Sequence, residues 1–122
     1  MDQTNIFGEE LIECCINPIT GYFRDGFCRT SDYDRGSHTL CALITNDFLN
    51  FSMSMGNDLS TARPEFQFPG LFEGQSWCLC AGRWLEAHEA GFAPKVYLKR
   101  TNIKALDVVP LSILRDYAVD LN

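Results

Sequence analysis

The sequence lacks any apolar run long enough to cross a membrane, since a spanning helix needs about 20 apolar residues and no stretch of this 122-residue chain approaches that. Its first residues, MDQTNIFGEELIE, are acidic and have no apolar segment typical of a signal peptide. Internal repeats and low-complexity tracts are also missing. We therefore expect a cytoplasmic protein with no membrane contact, in which residues 1–122 form a single domain.

Positive charge is scarce. Ten Lys and Arg residues face sixteen Asp and Glu residues, which gives a formal net charge of -6. Because contacts to phosphate dominate the affinity of proteins for nucleic acid, an acidic chain of this kind predicts no nucleic-acid partner.

Strand and helix patterns are both present, without a regular strand–helix–strand order. Asp25-Gly26 resembles a hairpin turn within residues 22–28. Longer patterns predict strands over 38–45 and 95–101 and helices over 45–55, 76–90 and 111–121. The resulting fold class is α+β: a single compact domain with a small mixed sheet packed by about three helices and a long ordered irregular loop.

That loop, which begins at Gly56, is the favoured functional segment. It is irregular yet rich in aromatic residues, and long ordered loops often carry sites. Between residues 57 and 65 it offers amide, carboxylate, hydroxyl and guanidinium groups, which favours binding or catalysis of a small-molecule ligand. Asp58 would be the orienting carboxylate or base, Arg63 the anion clamp and His38 a proton carrier; the other ligand contacts would come from Asn57, Ser60 and Thr61.

A structural explanation competes with this hypothesis. Asp, Asn, Ser and Thr side chains routinely bond the backbone of their own turns. A further alternative is a protein-interaction or structural module without a catalytic site. A concave cleft lined by Asp58, Arg63 and His38 would favour a ligand or an enzyme, whereas a flat apolar patch would favour a protein partner.

The six cysteines are expected to be mostly reduced and buried, because no export signal precedes them. No Cys-x2-Cys knuckle is present. His38 and Cys41 would lie on opposite faces of a strand, and Cys78 and Cys80 would diverge on a helix. The spacing thus predicts neither a metal nor a cofactor. A Cys/His metal-binding domain is the second alternative to the ligand-binding or catalytic function of the loop.

A cysteine nucleophile is another hypothesis. Cys78 or Cys80, near the start of the predicted 76–90 helix, would experience the positive end of its dipole. A nearby base is also required, and His38 is the best candidate.

Several runs of the chain resemble the bacterial family named domain of unknown function 2237. They are PITGYFRDGFCRT, GSHTLCALIT, GNDLSTARPEFQFPGL, WCLCAGRWLEAHEAGFAP and TNIKALDVVPL. The resemblance implies a compact single domain of about this length and no known activity, cofactor or partner. The chain departs from the family pattern where Thr101-Asn102 replaces a frequent Thr-His pair, and Cys15 is extra beside the family-type Cys14.

Overall fold

Two short antiparallel strands form the sheet of the protein, whose computed structural model describes residues 3–121. Strand β1 spans Leu40–Leu43 and strand β2 spans Ser76–Leu79. Their register pairs Cys41 with Cys78. Outside the strands, Val96 adds an antiparallel bridge to Ala42 and a parallel bridge to Ala118.

The sheet separates two buried clusters because successive side chains of a strand point to opposite faces. One face contributes to the main hydrophobic core, with Leu40, Ala42, Trp77 and Leu79. The other face contacts a smaller cluster made of Cys14, Cys28, Cys41 and Cys78. Both faces are therefore covered, which explains why the strand sequence is a continuous apolar run.

The described residues contain three α-helices, each of which contributes to the same hydrophobic core as the sheet. Helix α1 (Asn46–Ser54) begins at the cap Thr45, whose hydroxyl accepts a hydrogen bond from the Phe48 amide. Helix α2 (Ala81–Ala90) follows β2 directly and helix α3 (Leu111–Arg115) lies near the end of the chain. Three 3-10 helices complete the fold: Pro64–Phe66, Leu98–Arg100 and Ile103–Asp107. Within the described residues, every helix is too short or too polar to span a membrane.

The α+β class is confirmed, as are the strand predicted over 38–45 and the helix predicted over 45–55. The helix predicted over 76–90 is wrong in its first part, because residues 76–79 pair with β1 and bury their side chains. Residues 95–101 form an isolated bridge and a 3-10 turn rather than a strand, and no strand is assigned to residues 22–28. The last helix ends at Arg115, earlier than predicted.

Two disulfides correct the prediction of reduced cysteines. They join Cys14 to Cys41 and Cys28 to Cys78, across 27 and 50 residues of sequence. The reason is spatial: Cys41 and Cys78 are direct partners across the sheet, and both their partners pack on the same face. Pairing of this kind cannot be deduced from sequence spacing. The free cysteines are Cys15 and Cys80, both partly exposed.

Candidate active site around Cys80

Cys80 occupies the junction between β2 and α2, where its free thiol meets a histidine. It is the residue immediately before the first turn of α2. Its Sγ lies 3.3 Å from Nε2 of His38. A thiol in contact with an imidazole at a helix N-terminus is an environment that favours the thiolate, the nucleophilic form of cysteine.

The other ring nitrogen of His38 is held by Asp34. Nδ1 lies 2.6 Å from Oδ1 of Asp34, whose side chain is 1% exposed. Oδ2 of the same carboxylate accepts hydrogen bonds from the His38 amide, at 2.9 Å, and from the Thr30 hydroxyl, also at 2.9 Å. Both oxygens are therefore bonded, and the buried carboxylate fixes the ring orientation so that Nε2 points at the sulfur.

The backbone joins the histidine turn to the start of α2. The Ala81 amide donates to the carbonyl of Ser37 at 3.0 Å. Ser37 has a φ of 49°, which closes the turn between Asp34 and His38. Gly36 lies against the reactive pair, and a Cβ at this position would be 2.9 Å from the Cys80 sulfur and 3.1 Å from Cε1 of His38. The close approach therefore requires glycine at position 36.

The electrostatics of the site favour a charged imidazole. The hydrogen bond to Cys80 is the largest cause that raises the pKa of His38, to about 9, and Asp34 adds to it while burial opposes it. His38 is thus protonated at neutral pH, with Nε2–H directed to the sulfur and Nδ1–H donated to Asp34. An imidazolium in this position stabilises a thiolate.

A cleft of about 390 Å³ opens beside the sulfur. We call it the Cys80 cleft; it is lined by Arg35, Gly36, Ser37, Cys80, Gly82, Arg83, Glu86 and Val108. The amide of Gly82, in the first turn of α2, makes no hydrogen bond to the part of the chain that the structure describes. A donor of this kind is suited to an oxygen that becomes negative during a reaction.

The long loop builds a second cleft, of about 350 Å³, on the side of the imidazole. We call it the His38 cleft. Its lining residues include Asn57, Asp58 and Arg63 of the loop together with Arg24, His38, Phe66, Phe68 and Trp77. Of the sequence-predicted loop residues, Asn57, Asp58 and Arg63 therefore share a concave cleft with His38, the shape that favours a ligand or an enzyme over a flat partner surface. Ser60 and Thr61, which were also predicted to contact a ligand, do not line it.

Asp58 is engaged by its own turn. Oδ1 accepts the amides of Ser60 and Thr61 at 2.9 and 3.1 Å, and Oδ2 accepts the Thr61 hydroxyl at 2.6 Å. The hydroxyl bond to Thr61 is the largest cause that lowers the pKa of Asp58, followed by the Ser60 amide. A carboxylate with these partners acts as a turn-forming residue. Arg63, by contrast, donates no side-chain hydrogen bond within residues 3–121, although its charge acts on Asp58.

Cys78 is excluded as a thiol nucleophile in this structure because its sulfur is bonded to Cys28. The sulfurs of Cys14, Cys28 and Cys78 lie within 4.8 Å of one another. They are oxidised here, however, and a metal ligand must be a thiolate. The absence of a bound metal stays a prediction.

Sequence reasoning missed Asp34 and Gly36. Both lie in SDYDRGS, which reads as an ordinary polar loop. The available signal was the spacing of four between Asp34 and His38 immediately before a buried strand. That spacing allows a carboxylate to bond both the amide and the ring of a histidine in a tight turn.

Comparison with known proteins gives a family and no activity. A family model described as "Uncharacterized protein conserved in bacteria", domain of unknown function 2237, matches residues 4–118. No curated protein matches the chain.

Proposed function

The chain belongs to this family of uncharacterised proteins, and from the geometry of its site we propose that it is an enzyme that uses Cys80 as a nucleophile. His38 is the proton carrier and Asp34 is the residue that positions it. The single observation that carries the proposal is the chain of contacts from Cys80 Sγ to His38 Nε2, and from His38 Nδ1 to a buried Asp34 carboxylate. Nucleophile, base and orienting group in that order are the arrangement that activates serine and cysteine nucleophiles.

The reaction class is acyl transfer to the thiol followed by hydrolysis. The thiolate of Cys80 attacks the carbonyl carbon of a small ester, thioester or amide, and a carbon–sulfur bond forms. The bond to the leaving group breaks as the His38 imidazolium gives its Nε2 proton to that group. The neutral imidazole then takes a proton from water, the hydroxide attacks the thioester, and the acid product leaves with the thiolate restored.

The surroundings of Cys80 support this chemistry. Gly82 lines the same cleft as Cys80, and its amide has no acceptor among the described residues. It can therefore donate to the oxygen of a tetrahedral intermediate, an interaction that is typically worth about 3 kcal/mol of transition-state stabilisation. The first turn of α2 adds its positive dipole end at the same point.

The loop hypothesis becomes part of this proposal. Asn57, Asp58, Leu59 and Arg63 of the loop line the His38 cleft, and Arg63 is the loop side chain best suited to hold a polar ligand there. Asp58 is proposed as a support of the loop rather than as a base. The cytoplasmic location predicted from the sequence remains a prediction, and the two disulfides weigh against it because such bonds are rare in the cytoplasm.

The test compares the two free thiols of one molecule. The protein is treated with iodoacetamide at pH 6, and alkylation of Cys80 and Cys15 is followed by peptide mass spectrometry. Cys15 is also partly exposed, but within residues 3–121 its sulfur has no hydrogen-bond partner. We expect Cys80 to react at least about tenfold faster, because it reacts as a thiolate, and His38→Gln to remove the difference.

The enzymatic step needs its own measurement. An activated ester such as p-nitrophenyl acetate should release one equivalent of phenolate rapidly and leave one acetyl group on Cys80, seen by intact mass. Cys80→Ser should abolish the burst, whereas Cys15→Ser should preserve it. Equal alkylation of the two cysteines, or a burst that survives Cys80→Ser, would show that the proposal is wrong.

A further inference from the structure

We propose that the substrate of Cys80 carries an anionic group, a carboxylate or a phosphate, which binds to Arg35 in the Cys80 cleft. This inference rests on the proposed nucleophilic function of Cys80 and adds the class of substrate.

The first observation concerns the charges around the reactive pair. The protein has a net charge of -6, yet four of its ten cationic side chains border the two clefts. They are Arg35 and Arg83 in the Cys80 cleft and Arg24 and Arg63 in the His38 cleft. Each cleft also has one acidic lining residue, Glu86 or Asp58, so positive charge is in excess in both. A cleft with an excess of positive charge attracts anionic ligands.

The acidic residues near the sulfur do not cancel this charge. Glu86, the acidic residue that lines the Cys80 cleft, is 3.3 Å from the guanidinium of Arg83 and neutralises it. Asp34 lies buried behind His38 and is paired with it. The cleft therefore keeps the charge of Arg35, beside a His38 ring that is paired with Asp34.

Arg35 differs from Arg83 and Arg24 in having no partner among the described residues, a property that it shares with Arg63 of the His38 cleft. Arg83 bonds Glu86 and the Met55 carbonyl, and Arg24 donates to the Gly21 carbonyl. The Arg35 guanidinium makes no hydrogen bond, ion pair or ring contact with any other residue that the structure describes. Its five donors are thus available, and a planar guanidinium is well matched to the oxygens of a carboxylate or phosphate.

Position and size agree with this role. Arg35 precedes Gly36, where an added Cβ would meet both Cys80 and His38, and Arg35 lines the same cleft as Cys80. A group held by Arg35 would therefore lie close to the reactive pair. The cleft volume of about 390 Å³ is within the range of small-molecule sites. The substrate is therefore a small organic anion with an electrophilic carbonyl. Its anionic group binds Arg35, and its carbonyl carbon lies next to the sulfur of Cys80.

The experiment compares iodoacetate, an anionic alkylating agent, with neutral iodoacetamide. For each cysteine the ratio of the two rates is measured at low ionic strength, so that Cys15 provides the ratio for a thiol outside the cleft. We expect a higher iodoacetate preference at Cys80, and a loss of about threefold or more in that preference in Arg35→Gln, the size expected for one charge near a solvated site. Added salt should weaken the preference.

The controls separate the two proposals. Arg115→Gln removes an exposed charge that lines neither cleft and should leave the ratio unchanged. Arg35→Lys keeps the charge and should retain most of the preference. This variant provides the test if Arg35→Gln is poorly folded. If Cys80 reacts rapidly with both reagents but shows the ratio of Cys15, or keeps its ratio in Arg35→Gln, the anionic substrate is wrong and the nucleophile stands. If Cys80 is slow with iodoacetamide itself, both proposals are wrong.

Discussion

Asp34 holds His38 at two points, with Oδ1 at 2.6 Å from the ring nitrogen Nδ1 and Oδ2 at 2.9 Å from the backbone amide of the same residue. The histidine therefore has neither a free ring rotation nor a free backbone. A carboxylate that is 1% exposed loses little of this control to solvent. Asp34 is therefore a positioning residue: it orients His38 and acts on a substrate only through that histidine.

Asp34→Asn should lower both the reactivity of Cys80 and the stability of the fold. The substitution removes the charge that favours the imidazolium and weakens bonds to two partly buried partners, His38 and Thr30, so the free energy of unfolding should fall by about 1–3 kcal/mol. Because a merely structural role would not alter the histidine, the decisive measurement is the NMR titration of His38, whose pKa should fall. Asp32→Asn, at an exposed neighbour, is the control. An unchanged titration would show that Asp34 does not act on the ring.

The titration of His38 should be visible in the stability of the protein. Its pKa is raised from 6.5 to about 9 by folding, chiefly through Cys80. The resulting contribution to stability is fully present below pH 6.5 and is lost as the pH rises through about 9. The free energies of unfolding of wild type and His38→Gln, measured with denaturant, should therefore converge as the pH rises from 6.5 to about 9. In Cys80→Ser the pKa of His38 should fall, because the largest cause is removed.

Gly36→Ala should impair the reactive pair more than it impairs the fold. The new methyl group would lie 2.9 Å from the Cys80 sulfur and must displace it. Because a misplacement of about 1 Å can cost about a hundredfold in rate, we expect a marked loss of Cys80 alkylation. Gly82→Ala is the comparison for alkylation only, which needs no oxyanion donor: the variant keeps the Gly82 amide, and its Cβ would meet nothing within 4 Å. Equal rates in the two variants would contradict the assigned role of Gly36.

The purified, non-reduced protein should show two free thiols in denaturant and six after reduction. Loss of either bridge should lower the free energy of unfolding by about 3–4 kcal/mol, given loops of 27 and 50 residues. The double substitution Cys28→Ser with Cys78→Ser tests one bridge, and Cys15→Ser is the control that should leave stability unchanged. Six thiols without reductant would refute both bridges.

The loop offers a paired test of scaffold against site. Asp58→Ala removes the acceptor of three hydrogen bonds within the turn and should lower the melting temperature. Arg63→Ala removes a side chain with no hydrogen bond among the described residues and should melt no lower than wild type. Thermal melts of the two variants distinguish a scaffold role of the loop from a ligand-binding role. Comparable decreases in melting temperature in both variants would show that the loop is only a scaffold.

Local patterns predicted the elements whose signals lie within a few residues. The helix capped by Thr45 and the buried strand before it are of this kind. The segment from Ser76 to Leu79 was assigned to a helix because Trp77 continues the apolar stripe of α2, and only its pairing with β1 decides otherwise. Tertiary contacts override local propensity in such cases.

The residues of the site could be predicted from the sequence, but the contacts between them could not. Cys80, His38 and the loop could be singled out by residue type, since each carries reactive or polar groups. The contact between Cys80 and His38 could not be predicted, because the two residues are 42 positions apart in the sequence. They meet only because β2 ends before α2 begins. The disulfides depend likewise on the sheet register, which brings Cys41 opposite Cys78.

The bond between the Ala81 amide and the Ser37 carbonyl has a consequence for how the protein can diversify. It links main-chain atoms, so the bond itself does not depend on the Arg35 and Arg83 side chains at the rim of the Cys80 cleft. Arg35 and Arg83 sit beside this frame without forming part of it. Exchange of these two residues should therefore retarget the protein to neutral or cationic compounds while the chemistry is retained, which makes the rim a separable module for engineering.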